Sequence, residues 1–304
     1  MRAADPHADG ALVVCENLVK IYKVADLEVV ALQGLDLRVE RAEVIAVVGA
    51  SGSGKSTLQN ILGGVDTPTA GKAHVAGHDL TALTARERTA YRRSVVGFVW
   101  QQTSRNLLPY LDVAQNVELP MLLDGLPRPR RRARTRDLLR LVGMYERADE
   151  RPEHLSGGEQ QRVALANEPE LVLADEPTGE LDGASAAELF AALRRLNEEI
   201  GVTVIVLTHD PLVSGQVSRT VRIRDGRTAA ETLRRRTEDG QEVIAEEFAV
   251  LDRVGRLQLP HDYVTALELE RRVRLALEED HIGVWPDRPA ERRSDGRAEE
   301  DDGG

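Results

Sequence analysis

The sequence has little cysteine, few aromatic residues and almost no lysine, and each shortage limits what the protein can be. Its 304 residues include a single cysteine, Cys15, so an intrachain disulfide is excluded. Aromatic residues make up 3% of the chain and hydrophobic residues 41%, which predicts a core of leucine, valine and alanine. Lysine stands only at Lys20, Lys23, Lys55 and Lys72. A lysine kept inside a glycine-rich loop, as Lys55 is, indicates that the ammonium group itself is needed.

Long apolar runs and an excess of positive charge are also missing. No run approaches the roughly 20 apolar residues of a membrane-spanning helix, so we expect any membrane role to depend on a partner. Residues 1–10 hold no apolar segment typical of a signal peptide. The net charge of −11 argues against a general nucleic-acid binder. The basic segment 128–136 is interpreted as a solvated helix face or loop, with a lipid or nucleic-acid patch as the alternative.

Strand-like and helical patterns alternate along most of the chain. Strand-like segments fill residues 12–47, and the last of them is apolar throughout. The buried runs "ELVLADE" and "VTVIVLTHD" lie on either side of the helical segment "SAAELFAALRRLNEEIG", and residues 106–160 have a helical pattern. Alternation of this kind is typical of an α/β fold whose largely parallel sheet is covered by helices.

The segment "GASGSGKS", residues 49–56, has the spacing of a phosphate-binding loop between a strand and a helix. Its glycines allow the backbone to wrap phosphates, the Lys55 ammonium can reach the β- and γ-phosphates, and the Ser56 hydroxyl can hold Mg²⁺. A chance glycine-rich turn is the alternative interpretation. The predicted nucleotide-binding residues of this loop are Gly49, Ala50, Ser51, Gly52, Ser53, Gly54, Lys55, Ser56 and Thr57.

Two further segments predict anion and metal chemistry. Asp175 and Glu176 end the buried run "ELVLADE", where one carboxylate can reach the metal and the other can activate water. A carboxylate at such a strand end can instead cap a helix. The segment "LSGGEQQRVA", residues 155–164, predicts a second helix N-terminus with free backbone N–H groups. One chain therefore carries two anion cradles.

Together, "GASGSGKST", "LSGGEQQR", "LADEPTGELD" and "VLTHD" resemble the nucleotide-binding subunit of an ABC transporter over about residues 12–227. The segments "GGVDTPTAG", "VGFVWQ" and "NLLPYLDVAQNVELP" resemble the branch that works with permeases of the lipoprotein-release, macrolide-export and cell-division type. The resemblance implies a mostly parallel sheet, an antiparallel β part and a helical subdomain at about 102–160. It also implies an ATPase that uses ATP and Mg²⁺.

The partners and the location follow from the same resemblance. Two subunits, identical or paralogous, are expected to pair head to tail and to power a separate membrane permease, and no nucleic-acid partner is expected. The protein would be cytoplasmic and peripheral on the inner face of the cell membrane. Each ATP would lie between the Lys55 loop of one copy and the signature turn of the other. The signature residues are Ser156, Gly157, Gly158 and Glu159.

Further residues take roles from the resemblance. Tyr22 matches the aromatic residue that stacks on adenine, although an ordinary strand tyrosine is equally compatible with the sequence. Gln101, with Gln102 as the alternative, matches the glutamine that senses Mg²⁺ and the lytic water. Asp182 matches the loop that crosses the dimer interface.

Three residues complete the expected chemistry. Glu176 matches the catalytic carboxylate, and Asp175 joins Ser56 and Gln101 as the expected metal site. His209 matches the switch that contacts the γ-phosphate. A histidine at a strand end is more often structural, but its place after "VIVLT" favours the switch.

The chain departs from the family pattern after the signature. Relatives read like "QRVALARALANEP", whereas this chain reads "QRVALANEP" over residues 161–169. The loss of one helical turn shortens the helix by roughly 6 Å. We therefore expect slower hydrolysis with an intact fold, and a helix that unravels near Asn167 and Pro169.

A second departure lies at the end of the chain. Residues 1–11 are predicted to be a flexible leader and 12–227 the nucleotide-binding domain. Residues 228–243 are predicted to be a linker to a small β-rich domain at 244–287. Residues 247–286 are predicted to form a strand, a glycine turn, a second strand before Pro260, a helix and a final hairpin. This pattern resembles the swapped-hairpin AbrB/MazE type through Gly255, Arg256 and Pro260. Because its acidic residues outnumber its basic ones, a dimerisation or regulatory role is favoured over DNA binding. The alternative is an appendage that packs on its own subunit. Residues 288–304 are predicted to be a disordered tail.

One other function remains compatible with the sequence, and another does not. One is a regulatory or catalytically weak ABC ATPase that signals through a permease-like partner without moving cargo. The other, a DNA-linked ABC protein, would have a coiled-coil insertion or two tandem nucleotide domains, and neither is present in the sequence.

Overall fold

The computed structural model describes residues 10–25, 27–166, 169–236, 243–252, 255–269 and 272–286. The predicted tail, and the predicted leader apart from residues 10 and 11, lie outside these ranges. The chain forms two compact units, residues 1–256 and 257–304. No helix among the described residues is long and apolar enough to cross a membrane.

A seven-stranded sheet forms the centre of the first unit. The order of its strands is β11-β10-β9-β3-β8-β7-β6, and the pairs from β9 to β6 are parallel. These strands are β3 (Val44–Val48), β6 (Val96–Val99), β7 (Leu171–Asp175), β8 (Thr203–Thr208), β9 (Arg219–Arg224), β10 (Arg227–Arg236) and β11 (Val243–Ala249).

Apolar side chains cover both faces of the parallel strands. Alternate residues of β3 and β8 enter two different core clusters, with Ala46 and Val206 on one face and Ile45 and Leu207 on the other. Strands buried on both faces require continuous apolar sequence, which explains runs such as Val44–Val48. The buried Cys15 belongs to one cluster, and its burial, together with the charge of Asp36, raises its pKa to about 12. The thiol therefore acts as a core residue.

Helices flank the sheet, and several begin at caps that the sequence encodes. Thr84 with Glu87, Asp112 with Gln115, and Ser156 with Glu159 each form a capping box. The helices are α1 (Lys55–Leu62), α2 (Ala85–Ser94), α3 (Val113–Leu123), α4 (Arg128–Leu141), α5 (Gly157–Leu165), α6 (Gly183–Ile200), α7 (Pro211–Ser214) and, in the second unit, α8 (His261–Ala266). The basic segment 128–136 falls in α4.

An antiparallel sheet of four strands lies beside the central sheet, with the order β2-β1-β4-β5. Its strands are β1 (Ala11–Val24), β2 (Leu27–Glu40), β4 (Ala70–Val75) and β5 (His78–Asp79). The combination of this sheet, the mostly parallel sheet and the helices α3 to α5 confirms the predicted fold class.

The predicted linker at 228–243 is corrected by the structure. Its first part is strand β10, which pairs antiparallel with β9 and with β11. Strand β11, which covers the last residue of the predicted linker and the predicted start of the small domain, therefore extends the central sheet, and the unit boundary lies after Arg256. The polar sequence of β10 hides the strand because arginines can lie along a partly exposed sheet face.

The second unit contains α8 and a hairpin of β12 (Val273–Leu277) and β13 (Ile282–Pro286). The helix and the final hairpin follow the predicted order of elements. The strand predicted before Pro260 is absent, since residues 255–260 adopt no strand. Alternate residues of β12 and their partners on β13 place Leu275, Leu277, Ile282 and Val284 on one face of the hairpin.

Candidate nucleotide-binding site

The carboxyl ends of neighbouring parallel strands bring the predicted site residues together. In the strand register, Val48 lies opposite Thr208, and Asp175 lies opposite Leu207. The loops that follow β3, β7 and β8 therefore meet at one edge of the sheet, where ligands of α/β proteins bind. A pocket of about 760 Å³ lies there. It is lined by Tyr22, Val29, Val30, Ala31, Ala50, Ser51, Gly52, Gly54, Lys55, Ser56, Thr57, Gln101, Asp175, Glu176 and His209.

The glycine-rich loop has the backbone that a phosphate cradle needs. Gly54 has φ +107°, and a Cβ atom there would lie 2.7 Å from the Ala31 carbonyl oxygen, so a side chain is excluded. Lys55 Nζ donates to the carbonyl oxygens of Gly49 at 2.6 Å and Ala50 at 3.2 Å. The ammonium group therefore lies across the loop, within reach of an anion held by the backbone N–H groups.

Ser53 supplies an independent sign that the loop is built for a ligand. Its side chain is buried, and its Oγ atom has no hydrogen-bond partner among the described residues. A buried hydroxyl without a partner is costly, and a phosphate oxygen in the loop would satisfy it. The loop residues thus fit a nucleotide phosphate.

Another part of the pocket lining is apolar. Tyr22 comes from β1, and Val29 and Val30 come from β2, where both valines are exposed. An aromatic ring with two aliphatic side chains offers a surface for a flat base. We call the part of the pocket lined by Tyr22, Val29 and Val30 the base end, and the part lined by the glycine-rich loop the phosphate end.

Oxygen-bearing side chains stand beside the phosphate end. The Ser56 hydroxyl, the Asp175 carboxylate and the Gln101 amide all line the pocket, and hard cations such as Mg²⁺ prefer oxygen ligands. Burial and the neighbouring charge of Glu176 raise the pKa of Asp175, while Lys55 opposes the shift. A bound cation would offset that cost, so these residues fit the metal that the family resemblance implies.

Glu176 is held by three hydrogen bonds. Its Oε2 atom accepts from the Thr208 hydroxyl at 2.8 Å, and its Oε1 atom accepts from the His209 backbone N–H at 3.0 Å. The His209 Nδ1 atom lies 2.7 Å from the same Oε1. The backbone of Glu176 has φ +43°, which is uncommon for a residue other than glycine. The strand-end turn thus directs this carboxylate into the pocket beside His209.

The signature turn is an anion cradle at another place in the molecule. Ser156 caps α5: its Oγ atom accepts from Glu159 N at 3.3 Å, and Glu159 Oε2 accepts from Ser156 N at 2.8 Å. Gly157 and Gly158 allow Thr103 and Ser185 to pack close to the backbone of the turn. A Cβ atom on Gly157 would lie 3.3 Å from Thr103, and one on Gly158 would lie 3.1 Å from Ser185. In the part of the chain that the structure describes, none of the signature residues lines the pocket of Lys55.

Asp182 has a local structural role as well as its predicted interface role. It caps α6, where its carboxylate accepts from Ser185 N at 2.8 Å, and this hydrogen bond lowers its pKa. The side chain is exposed, so a partner subunit can reach it. The interface role stays a prediction.

Helix α5 ends in a tightened last turn. The helix ends at Leu165, where Ala166 N donates to Val163 O. This bond spans three residues, as in a 3₁₀ turn, and not the four of the helix body. Asn167, where unravelling is predicted, lies outside the described residues. Pro169 then packs against β6, since a Cβ atom on Gly97 would lie 2.7 Å from the proline ring.

Sequence reasoning missed several residues that shape the site. Thr208 binds Glu176, Asn106 holds the start of the Gln101 loop through Trp100 N at 2.8 Å and Trp100 O at 3.1 Å, and Asp66 binds Tyr22. All three residues lie in segments that carry the family resemblance: Thr208 in "VLTHD", Asn106 in "NLLPYLDVAQNVELP" and Asp66 in "GGVDTPTAG". Their contacts arise only in the folded chain, so the sequence does not indicate them.

A phosphate loop after a buried strand, a strand-end carboxylate pair and a base-sized apolar end define a P-loop nucleoside triphosphatase. The comparisons with known proteins agree. A sequence model of the ABC transporter family matches residues 32–179. The macrolide export ATP-binding/permease protein MacB of Rhodopseudomonas palustris (strain HaA2) is 44% identical over 228 residues, which are 74% of this chain and 34% of MacB. MacB of Shigella flexneri is 44% identical over 219 residues, 71% of this chain and 33% of MacB. The chain spans about a third of the length of these relatives.

Solved structures match over the same portion. The dimeric structure of a post-hydrolysis state of the ATP-binding cassette MJ0796 bound to ADP and Pi has a TM-score of 0.64 and 37% identity, and the match covers 73% of this chain and 98% of that one. A structure of cbiO1 from Clostridium perfringens, part of the ABC transporter complex cbiONQ, has a TM-score of 0.66 and 28% identity. The match covers 73% of this chain and 88% of that one. The chain belongs to the ABC transporter family, as an ATP-binding cassette that binds and hydrolyses ATP.

Proposed function

We propose that this ATPase acts as a head-to-tail dimer that powers a membrane permease of the macrolide-export type. The observation that supports the dimer is the separation of two anion cradles, since Ser156–Glu159 do not line the pocket of their own chain. A second copy could bring its signature turn to that pocket and enclose the nucleotide. Mg²⁺ would be held by Ser56, Asp175 and Gln101, where it neutralises phosphate charge.

The permease is inferred from the relatives whose names join an ATP-binding part to a permease. The chain can be tagged and recovered from detergent-solubilised membranes with ATP and Mg²⁺. A co-purifying membrane protein that raises the ATPase rate supports the proposal, and recovery of the ATPase alone contradicts it. Transport of cargo by the recovered complex would separate a transporter from a regulatory ATPase.

For the second unit, we propose a dimerisation module of the AbrB/MazE type. Leu275, Leu277 and Ile282 are 63%, 84% and 65% exposed and share one face of the hairpin with Val284. A two-stranded hairpin is marginal by itself, and a contiguous exposed apolar face marks an interaction site. A second hairpin of the same kind would cover this face with apolar side chains.

Removal of residues 257–304 is expected to abolish ATP-independent dimers while leaving ATP binding unchanged. The apolar hairpin face is lost, whereas every residue of the nucleotide pocket lies in the first unit. Light scattering without nucleotide should show a dimer for the full chain and a monomer for the shortened one. A full-length chain with Leu275→Ser and Leu277→Ser is the matched variant. Equal masses for all of these chains would contradict the module.

The short α5 favours a catalytically weak, regulatory ATPase as a second candidate function. Insertion of Arg-Ala-Leu-Ala between Ala166 and Asn167 restores the turn found in relatives. Because a misplacement near 1 Å can reduce a rate about a hundredfold, we expect the insertion to raise the steady-state ATPase rate by about tenfold or more. The same insertion after Gly125 is the control, because Gly125 lies in an exposed turn with φ +77° where an added Cβ atom would meet no atom within 4 Å. An unchanged or lower rate would show that the fold already absorbs the shortening.

A further inference from the structure

Tyr22, which lines the pocket, belongs to a hydrogen-bonded group with Asp66 and Lys20, and neither of these two lines the pocket. The Tyr22 hydroxyl donates to Asp66 Oδ2 at 2.9 Å. Lys20 Nζ donates to Asp66 Oδ1 at 2.6 Å, and it lies 4.8 Å from the centroid of the Tyr22 ring. The Asp66 carboxylate thus links the two side chains, with one oxygen bound to each.

The loop that carries Asp66 is fixed at both ends. It follows α1, and the backbone N–H groups of Val65 and Asp66 donate to Asn60 O at 2.8 Å and 3.0 Å. Thr69 N donates to Val19 O at 2.8 Å, which ties the far end of the loop to β1. The helix that begins at the phosphate-binding Lys55 therefore ends in a loop that holds the base-end tyrosine.

Hydrogen bonds and burial set the protonation states of Asp66 and Tyr22. The side chains of Lys20 and Asp66 are 12% and 28% exposed. Burial raises the pKa of Asp66, but hydrogen bonds from Lys20, the Thr67 N–H and Tyr22 outweigh it, so the net shift is downward. Burial raises the pKa of Tyr22, the Thr57 hydroxyl opposes that shift, and Asp66 adds to it. The tyrosine hydroxyl therefore stays a donor, and the carboxylate stays an acceptor.

We propose that Asp66 and Lys20 are positioning residues that hold the Tyr22 ring in the orientation in which it stacks on the base of bound ATP. The inference rests on the proposed base-stacking role of Tyr22. A free tyrosine ring rotates about two torsions, and binding would have to restrict them. The bond to Asp66 restricts them before the nucleotide arrives. The gain is therefore in nucleotide binding and not in the hydrolysis step.

The first test is kinetic. Asp66→Ala is expected to raise the KM for ATP about threefold to tenfold, the range of one to two hydrogen bonds, with kcat within about twofold of wild type. Tyr22→Phe, which keeps the ring and removes the hydroxyl, should shift KM in the same direction. The double variant should bind ATP no more weakly than Asp66→Ala alone. The control is Asp79→Ala, because Asp79 accepts hydrogen bonds from Thr81 in the same antiparallel sheet but does not line the pocket.

A ligand without a base separates positioning from general damage. Inorganic tripolyphosphate can occupy the phosphate loop but cannot stack, so Asp66→Ala should leave its affinity unchanged. Equal weakening of ATP and tripolyphosphate would assign Asp66 a purely structural role through α1 and overturn the proposal. If Asp66→Ala does not fold, Asp66→Asn keeps an acceptor for Tyr22 and should give a smaller rise in KM.

Variants of Tyr22 itself test the base-stacking role separately from the positioning role of Asp66. Tyr22→Ala should weaken ATP binding more than Tyr22→Phe and leave tripolyphosphate binding intact. Unchanged ATP binding in Tyr22→Ala would remove the stacking role itself. Weakened binding in Tyr22→Ala with a wild-type KM in Asp66→Ala and Asp66→Asn would overturn only the positioning role.

Discussion

Substitution of Glu176 by Gln is expected to lower the ATPase turnover by about a hundredfold to ten-thousandfold, the range of one general base, while ATP still binds. The amide has nearly the same shape and can still accept from the Thr208 hydroxyl, which lies 2.8 Å from Glu176 Oε2. It cannot take a proton from water. Phosphate release under saturating ATP measures the turnover, and fluorescence of a labelled ATP measures binding.

The matched control is Glu170→Gln. Glu170 precedes the same strand at its other end, where it pairs with Arg41 at 3.0 Å on the surface. Its substitution should leave turnover within about twofold, because surface ion pairs contribute little. Turnover in Glu176→Gln close to that of wild type would assign the base to another residue.

Lys55→Ala is expected to weaken ATP binding by about a hundredfold, because charge-assisted hydrogen bonds to the phosphates are lost. Lys55 is the lysine that lines the pocket, and its ammonium group contacts the carbonyl oxygens of Gly49 and Ala50 in the loop. Equilibrium binding of labelled ATP with and without Mg²⁺ measures the loss.

Lys72→Ala is the control for this second variant. Lys72 is exposed on β4, lies 3.8 Å from Glu16 and does not line the pocket. It should bind ATP like the wild type. Equal affinities for ATP in wild type and Lys55→Ala would contradict the assignment of the phosphate end.

Local segments of the site could be predicted because their geometry is encoded in adjacent residues. The loop at 49–57 follows a strand and opens a helix, and Ser156 and Glu159 stand at capping-box spacing, so each segment predicts its own shape. The fold class followed from buried apolar strands that alternate with helices. These signals require no knowledge of distant contacts.

Contacts between distant residues could not be predicted in this way. Tyr22 meets Asp66 across 44 positions, and Glu176 meets Thr208 across 32 positions, so their pairing depends on the folded sheet. Strand β10 was missed for another reason. Its arginine-rich sequence is polar, and only its pairing with β9 and β11 makes it a strand. The unit boundary shifted as a result.

The central claim is that two copies share ATP, with the signature turn of one closing on the Lys55 loop of the other. The most direct measurement is the molar mass of a chain that ends at Arg256 and carries Glu176→Gln, which removes both hydrolysis and the proposed C-terminal module. By light scattering, this chain should be a monomer without nucleotide and a dimer with saturating ATP, and Ser156→Arg should restore the monomer by blocking the turn. A monomer that has ATP bound, or an ATP-induced dimer that Ser156→Arg leaves intact, would contradict the shared site.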